Sequence, residues 1–182
     1  VFSLATYSMP VFWFGMLLLL VLSYYIGVLP IAGTITAGMI HANFLHYASD
    51  YLSHLVAPMI TLAVSFFGGY FLFMRDTTLD VLAEDYMLTA RAKGLSDRKI
   101  LFKHAMRNAL LPMVSLMGVH VTFLVSGATM TETVFSWDGL GRLIYDSVRN
   151  SDYPVLQGIF LIMAVLVVVA SILADVTNAI LD

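Results

Sequence analysis

The sequence predicts an all-α membrane protein, a polytopic bundle of four transmembrane helices with a helical hairpin between the second and third. Two observations carry this. Hydrophobic residues make up 60% of the 182 positions against 12% charged, and from Val1 to Ser49 there is no Lys, Arg, Asp or Glu. A soluble surface of that length does not tolerate such a stretch, so the solvent for much of the chain is lipid.

A hydrocarbon core about 30 Å thick needs roughly 20 apolar residues in a helix. Four runs qualify: Pro10 to Val28, Leu55 to Met74, Ala109 to Met130 and Val155 to Ala174. They are long and continuous, not ten-residue alternations, which favours helices over barrel strands. Pro58, Pro112 and the Gly68-Gly69 pair sit inside them, as membrane helices allow. The first run lacks a basic flank and a small-residue cleavage site, so it does not read as a signal peptide.

Basic residues set the orientation. Of nine Lys and Arg, the segment between the second and third runs holds Arg75, Arg91, Lys93, Arg98, Lys99, Lys103 and Arg107, which places it in the cytoplasm by the positive-inside tendency. Only Arg142 and Arg149 remain for the outer linkers. Four spans then leave both ends of this stretch cytoplasmic. Gly33 to Asp50 reads as an outer linker with a short interfacial helix. His41, His46 and His54 invite a metal reading, but spacings of five and eight do not line one helical face, so ordinary surface and interface histidines are the reading adopted.

Inside the basic segment, residues 78 to 93 read as a helix capped by Thr77 or Thr78, with Asp80, Glu84 and Asp85 toward its start and Arg91 and Lys93 toward its end. That order suits the helix dipole. Leu79, Leu82, Ala83, Tyr86 and Ala90 form its apolar stripe, and Gly94 follows where a helix end wants a left-handed residue. Ser96-Asp97 starts a second helix, with a stripe of Ile100, Leu101 and Ala105 flanked by Phe102 and Met106. Topology alone explains the charges, and binding of anionic headgroups is a further explanation, diluted by Asp76, Asp80, Glu84, Asp85 and Asp97. Neither explains a capped hairpin with Thr89, Ala90, Ala92 and Gly94 at its turn, where small side chains suit the close approach of another surface.

The run "DYMLTARAKGLSDRKILFKHAMRNALLP" resembles the EAA loop of permease subunits of binding-protein-dependent ABC importers, in the oligopeptide/dipeptide/nickel branch. "GVLP" in the first span, "ETVFSWDGLGRL" at 132 to 143, "DYPVLQG" at 152 to 158 and the terminal "LADVTNAILD" agree, and the "VFSW-GLGRL" element is similar to the first of the two permease types in that branch. Of the generic EAA pattern only Ala90 and Gly94 fit, whereas the branch form with "TARAKG" and "RNALLP" fits well. Asp138 stands where the branch commonly has Pro.

This resemblance implies one ABC permease domain over residues 1 to 182, without the two spans that precede this region in the family. It implies a cell-membrane protein that is not itself an enzyme. Its expected partners are a second homologous permease, two cytoplasmic ATPase subunits carrying ATP and Mg, an extracytoplasmic solute-binding protein and the lipid bilayer, with no nucleic acid. No cofactor is expected in this chain, since "GLGR" at 139 lacks the Lys-Ser/Thr of a phosphate loop. By similarity Asp85, Tyr86, Thr89, Ala90, Arg91, Ala92, Lys93, Gly94 and Leu95 form the ATPase-coupling element. Thr89, Ala90 and Ala92 would pack closely against the ATPase, while Arg91 and Lys93 meet acidic groups at its rim.

At membrane depth His120 and Glu132 stand out as ionisable, which makes them pathway or gate candidates. His120 reads equally as an interhelical hydrogen-bonder, Glu132 as a helix anchor, and Asp175 as a boundary residue. A secondary transporter or channel is the rival mechanism and needs a coupling-ion site. An intramembrane hydrolase finds only His120 and Ser126, six apart and not on one face.

Overall fold

The computed structural model describes residues 2–125 and 128–181, and among these every regular element is helical. In chain order they are α1 (Phe2–Ser8), α2 (Val11–Leu18) continued by a π-helical segment (Leu19–Tyr25), α3 (Phe44–Ala83), α4 (Asp85–Ala92) and α5 (Asp97–Lys99). A second π-helical segment (Ile100–Ala105) then leads to α6 (Met106–Val125), α7 (Thr129–Phe135), α8 (Leu140–Arg149) and α9 (Tyr153–Leu181). Two helices are long and apolar enough to cross a bilayer, Phe44–Ala83 and Tyr153–Ile180, and Val11–Tyr25 is a shorter apolar helix.

Of the four expected spans, the second and fourth fall, among the described residues, in the helices that meet this length and hydropathy, and the first falls in the shorter Val11–Tyr25. The second lies within the 40-residue α3, so the helix foreseen in the outer linker is its first turns and not a separate interfacial piece. The apolar run expected as the third span falls on α6, which ends at Val125, and Met130 belongs to α7. Ser126 lies outside the described residues. The cap foreseen at Thr77 or Thr78 is absent for a physical reason. Both hydroxyls donate back to the fourth preceding carbonyl, Phe73 at 2.8 Å and Met74 at 2.6 Å, a bond that leaves the helix intact. The chain breaks instead at Glu84, whose backbone is extended (φ −69, ψ 148).

Two compact units emerge, one of Val1–Gly68 with Phe123–Met163 and one of Gly69–Thr122 with Ala164–Asp182. In the first, α2, α3 and α7 converge. A Cβ on Gly15 would come within 3.1 Å of the Phe135 ring and 3.3 Å of the Thr61 methyl, so glycine sets that spacing. Thr61 is fully buried and satisfies its hydroxyl on the Ala57 carbonyl at 2.9 Å, as a polar group in an apolar core must. Gly68 allows α1 to lie on α3, since a Cβ there would sit 2.5 Å from the Ser3 carbonyl oxygen.

The linker that precedes α3 is tied down by Asp50. Its carboxylate accepts the Thr36 amide at 2.8 Å, the Thr36 hydroxyl at 2.6 Å and His41 Nε2–H at 3.0 Å. His54 Nδ1–H donates to the Asp50 backbone carbonyl at 2.9 Å. His41 and His54 thus have a shared structural partner, while the His46 ring packs on that of His41. Among the described residues no group of three or more His, Asp or Glu is arranged to hold a metal ion.

In the second unit α6 and α9 approach at Gly118, where a Cβ would lie 3.0 Å from Ala174. Asn178 donates to the Ser115 hydroxyl at 2.9 Å alongside. Asp175 on α9 is exposed.

Candidate functional site

The predicted coupling residues all fall on one hairpin in the second unit. Glu84 enters with extended backbone, Asp85 opens the first turn of α4 and Arg91 lies in its last turn, each charge favourable at its helix end. Met87 and Ala90 turn inward. They form a small core with Ile100 and Ala105, on which Val81, Leu82, Leu95 and Leu101 pack. Ala90, only 9% exposed, is therefore part of the hairpin's own interior and does not lie on its outer face, where the small-residue reading placed it. Thr89, Ala92 and Gly94 remain exposed with Arg91 and Lys93, and Leu88 is 60% exposed.

The turn after α4 is the one its sequence calls for. Gly94 has φ +73; its N–H donates to the Arg91 carbonyl at 2.9 Å and the Leu95 N–H to the Ala90 carbonyl at 3.4 Å. This paired closure, with Leu95 packing back on the hairpin core, is the Schellman ending. Nothing lies within 4 Å of a Cβ built on Gly94. The demand for glycine there is conformational and not steric.

The return limb keeps its stripe by a local change of helix type. In an α-helix Ile100 and Ala105, five apart, point to different sides. The π-helical segment that joins them has a wider turn, closed by bonds between residues five apart, which brings the two nearer to one side, and both are buried, at 2% and 0% exposure. The Asn108 amide donates to the Tyr86 hydroxyl at 2.6 Å and ties α4 to the first turns of α6.

His120 and Glu132 belong to different units. His120 Nδ1 lies 2.7 Å from the Tyr70 hydroxyl, with the rings edge-on at 5.0 Å, so it joins α6 to α3. Glu132 is half-buried on α7, and its carboxylate accepts the Arg142 backbone N–H at 2.7 Å in the first turn of α8. Its backbone carbonyl accepts Trp137 N–H at 2.8 Å, beside a left-handed Ser136 at φ 50. One residue thus closes the end of α7 and the start of α8, where free N–H groups need an acceptor. Sequence reasoning missed Gly139, the residue that admits this carboxylate, and the Asp50–Thr36 closure. The Gly on either side of Leu140 was the available signal for the first; no local signal marks the second.

A family model described as "Binding-protein-dependent transport system inner membrane component" matches residues 1–182. Among curated relatives, the oligopeptide transport system permease protein AppB of Bacillus subtilis is 41% identical over 175 residues, covering 96% of this chain and 54% of the relative. The di/tripeptide transport system permease protein DppB of Pseudomonas aeruginosa is 38% identical, over 96% of this chain and 56% of its own length. The dipeptide transport system permease protein DppB of Escherichia coli is 35% identical, over 99% and 58% respectively. The chain spans a little over half the length of these relatives.

Proposed function

Because the chain belongs to the family of binding-protein-dependent transport system inner membrane components, we propose that it lines half of the solute pathway of an ATP-driven importer for peptides or a related small solute such as nickel. A second homologous permease supplies the other half. Two cytoplasmic ATPase subunits bind ATP and Mg and carry out hydrolysis, and an extracytoplasmic binding protein delivers the solute. The peptide assignment draws on the relatives, which are named as oligopeptide, di/tripeptide and dipeptide permeases. In this reading α2, α3, α6 and α9 are the four spans, the hairpin around Gly94 is cytoplasmic, and both ends of the stretch face the same side.

The observation that carries the reading is the division of labour on α4. Met87 and Ala90 hold the hairpin together, which leaves Tyr86, Thr89, Arg91, Ala92, Lys93 and Gly94 exposed on a turn fixed by its own backbone bonds. A short stiff helix with an unused face transmits force well. When the ATPase subunits close, a displacement of α4 passes through its core contacts and the Tyr86–Asn108 bond to the base of α6. Rigid-body rearrangement of this kind is a common switching mode. Near the pathway, His120 joins two helices and Glu132 anchors the α7–α8 corner.

These 182 residues hold no cysteine, and Thr89→Cys in the full-length protein, in a background cleared of any cysteine elsewhere, gives a defined cross-linking site in this region. Nucleotide-sensitive cross-linking to an ATPase subunit is the expected result. If no ATPase subunit copurifies from mild detergent and depletion of ATP leaves uptake unchanged, the importer reading fails.

A further inference from the structure

We propose that the exposed side of the hairpin's return limb is a binding face for anionic phospholipid headgroups, built from Arg98, Lys99, Lys103 and Phe102. Between residues 96 and 107 four basic residues, Arg98, Lys99, Lys103 and Arg107, stand against one acid, Asp97. The remaining acids of the basic segment, Asp76, Asp80, Glu84 and Asp85, lie on α3, α4 or the break between them, so the sequence-level dilution of the positive charge does not apply to this limb. Among the described residues no carboxylate lies within ion-pairing distance of Arg98, Lys99 or Lys103.

Phe102 is 59% exposed in the midst of these cations, with the Arg98 guanidinium carbon 6.0 Å from its ring centre. A large exposed aromatic with Arg98 beside it is costly in water and favourable at a headgroup boundary, where the ring enters the acyl region and the cations meet phosphates. Ser96, Arg98, Lys99 and Phe102 line an open groove of about 430 Å³.

Geometry separates this face from the coupling face. Ile100 and Ala105 point at Met87 and Ala90 through the hairpin core, so the exposed sides of α4 and of the return limb look away from each other. The limb also leads directly into α6, whose apolar run begins at Ala109, which keeps it beside the bilayer surface. The proposal needs membrane insertion only, and a bilayer with the same lipids in both leaflets makes its test independent of which side the hairpin occupies.

The full-length protein with its partner subunits is placed in nanodiscs of equimolar phosphatidylglycerol and phosphatidylcholine, and the lipids retained on release are measured by native mass spectrometry. Each Lys or Arg at an anionic surface is worth roughly fivefold in local lipid concentration. The Arg98→Gln/Lys99→Gln/Lys103→Gln protein is therefore expected to lower the retained phosphatidylglycerol ratio by about tenfold or more, Phe102→Ser by less, and Arg142→Gln/Arg149→Gln not at all. An unchanged ratio in the triple variant overturns the proposal. Loss of the ATPase subunit from the triple variant with its lipid ratio intact also overturns it, since the face then belongs to a protein. Should the triple variant not assemble, rising salt is applied to the unaltered protein. The enrichment must fall as headgroup attraction is screened, and enrichment that persists at high salt overturns the proposal.

Discussion

A side chain on Gly139 would occupy the position of the Glu132 carboxylate, so the missing Cβ leaves room for the bond from the Arg142 N–H to that carboxylate. Replacing Gly139 with Ala displaces the carboxylate from the Arg142 N–H, and loss of such a cap costs about 1 kcal/mol. The Gly139→Ala protein is expected to melt at lower temperature in detergent, with the membrane-inserted fraction unchanged.

Removal of the acceptor itself separates capping from charge. Glu132→Ala leaves the Arg142 N–H of α8 without its partner and is expected to cost about 1 kcal/mol, the usual value of a helix cap. Glu132→Gln keeps a carbonyl oxygen at the same reach and is expected to lose less. Faster exchange of the Arg142 amide in the Ala variant alone is the corresponding readout. Equal effects of the two variants would point to the charge and away from the hydrogen bond.

At Gly94 the expected ranking follows from backbone conformation. Space is open around it, so size does not matter, but φ +73 strains a β-branched residue by roughly 1–2 kcal/mol while Asn visits that region readily. Gly94→Val should insert at normal abundance yet lose transport relative to ATP hydrolysis, and Gly94→Asn should retain most of it. Normal uptake by the Val variant would falsify the coupling role of this turn.

The Tyr70–His120 pair suits a double-mutant cycle. Hydrogen bonds between membrane helices contribute about 0.6 kcal/mol on average and up to about 1.7. Tyr70→Phe and His120→Phe are expected to show a coupling energy in that range by unfolding in mixed micelles. A coupling near zero would mean that the 2.7 Å contact does no more than fill space.

Asp50 predicts a local effect. Asp50→Ala strands the Thr36 amide, the Thr36 hydroxyl and His41, each of which has its carboxylate partner within 3.0 Å. Protease cutting between Gly33 and His41, and exchange of the Thr36 amide, should both rise in the variant while the helices remain folded.

Features whose physics is local were legible in the sequence. A helix stripe followed by Lys93-Gly94 specifies a left-handed ending, and Gly94 adopts it. Isolated ionisable groups in apolar runs must find partners, and His120 and Glu132 have them. Closures through space were not legible. Thr36 meets Asp50 across 14 residues of linker, and no periodicity encodes that. Competition between two legitimate uses of one side chain also defeated the reading: Thr77 and Thr78 cap helices in one setting and bond back along the helix in another, and continuation of α3 selected the second. Ala90 was recognised as small, but smallness serves equally a partner's approach and the hairpin's own interior, and only packing tells them apart.

The π-helical turn from Ile100 to Ala105 means that the return limb carries one residue more than its path requires. Wider turns of this type arise where an α-helix accommodates an insertion without disturbing what precedes or follows it. Deleting one exposed residue from that turn, Phe102 or Lys103, would restore ordinary α-helical spacing with Ile100 and Ala105 still on one side. The limb can therefore change length by one residue without rotating the helix above it, a freedom that the tight ending at Gly94 does not have.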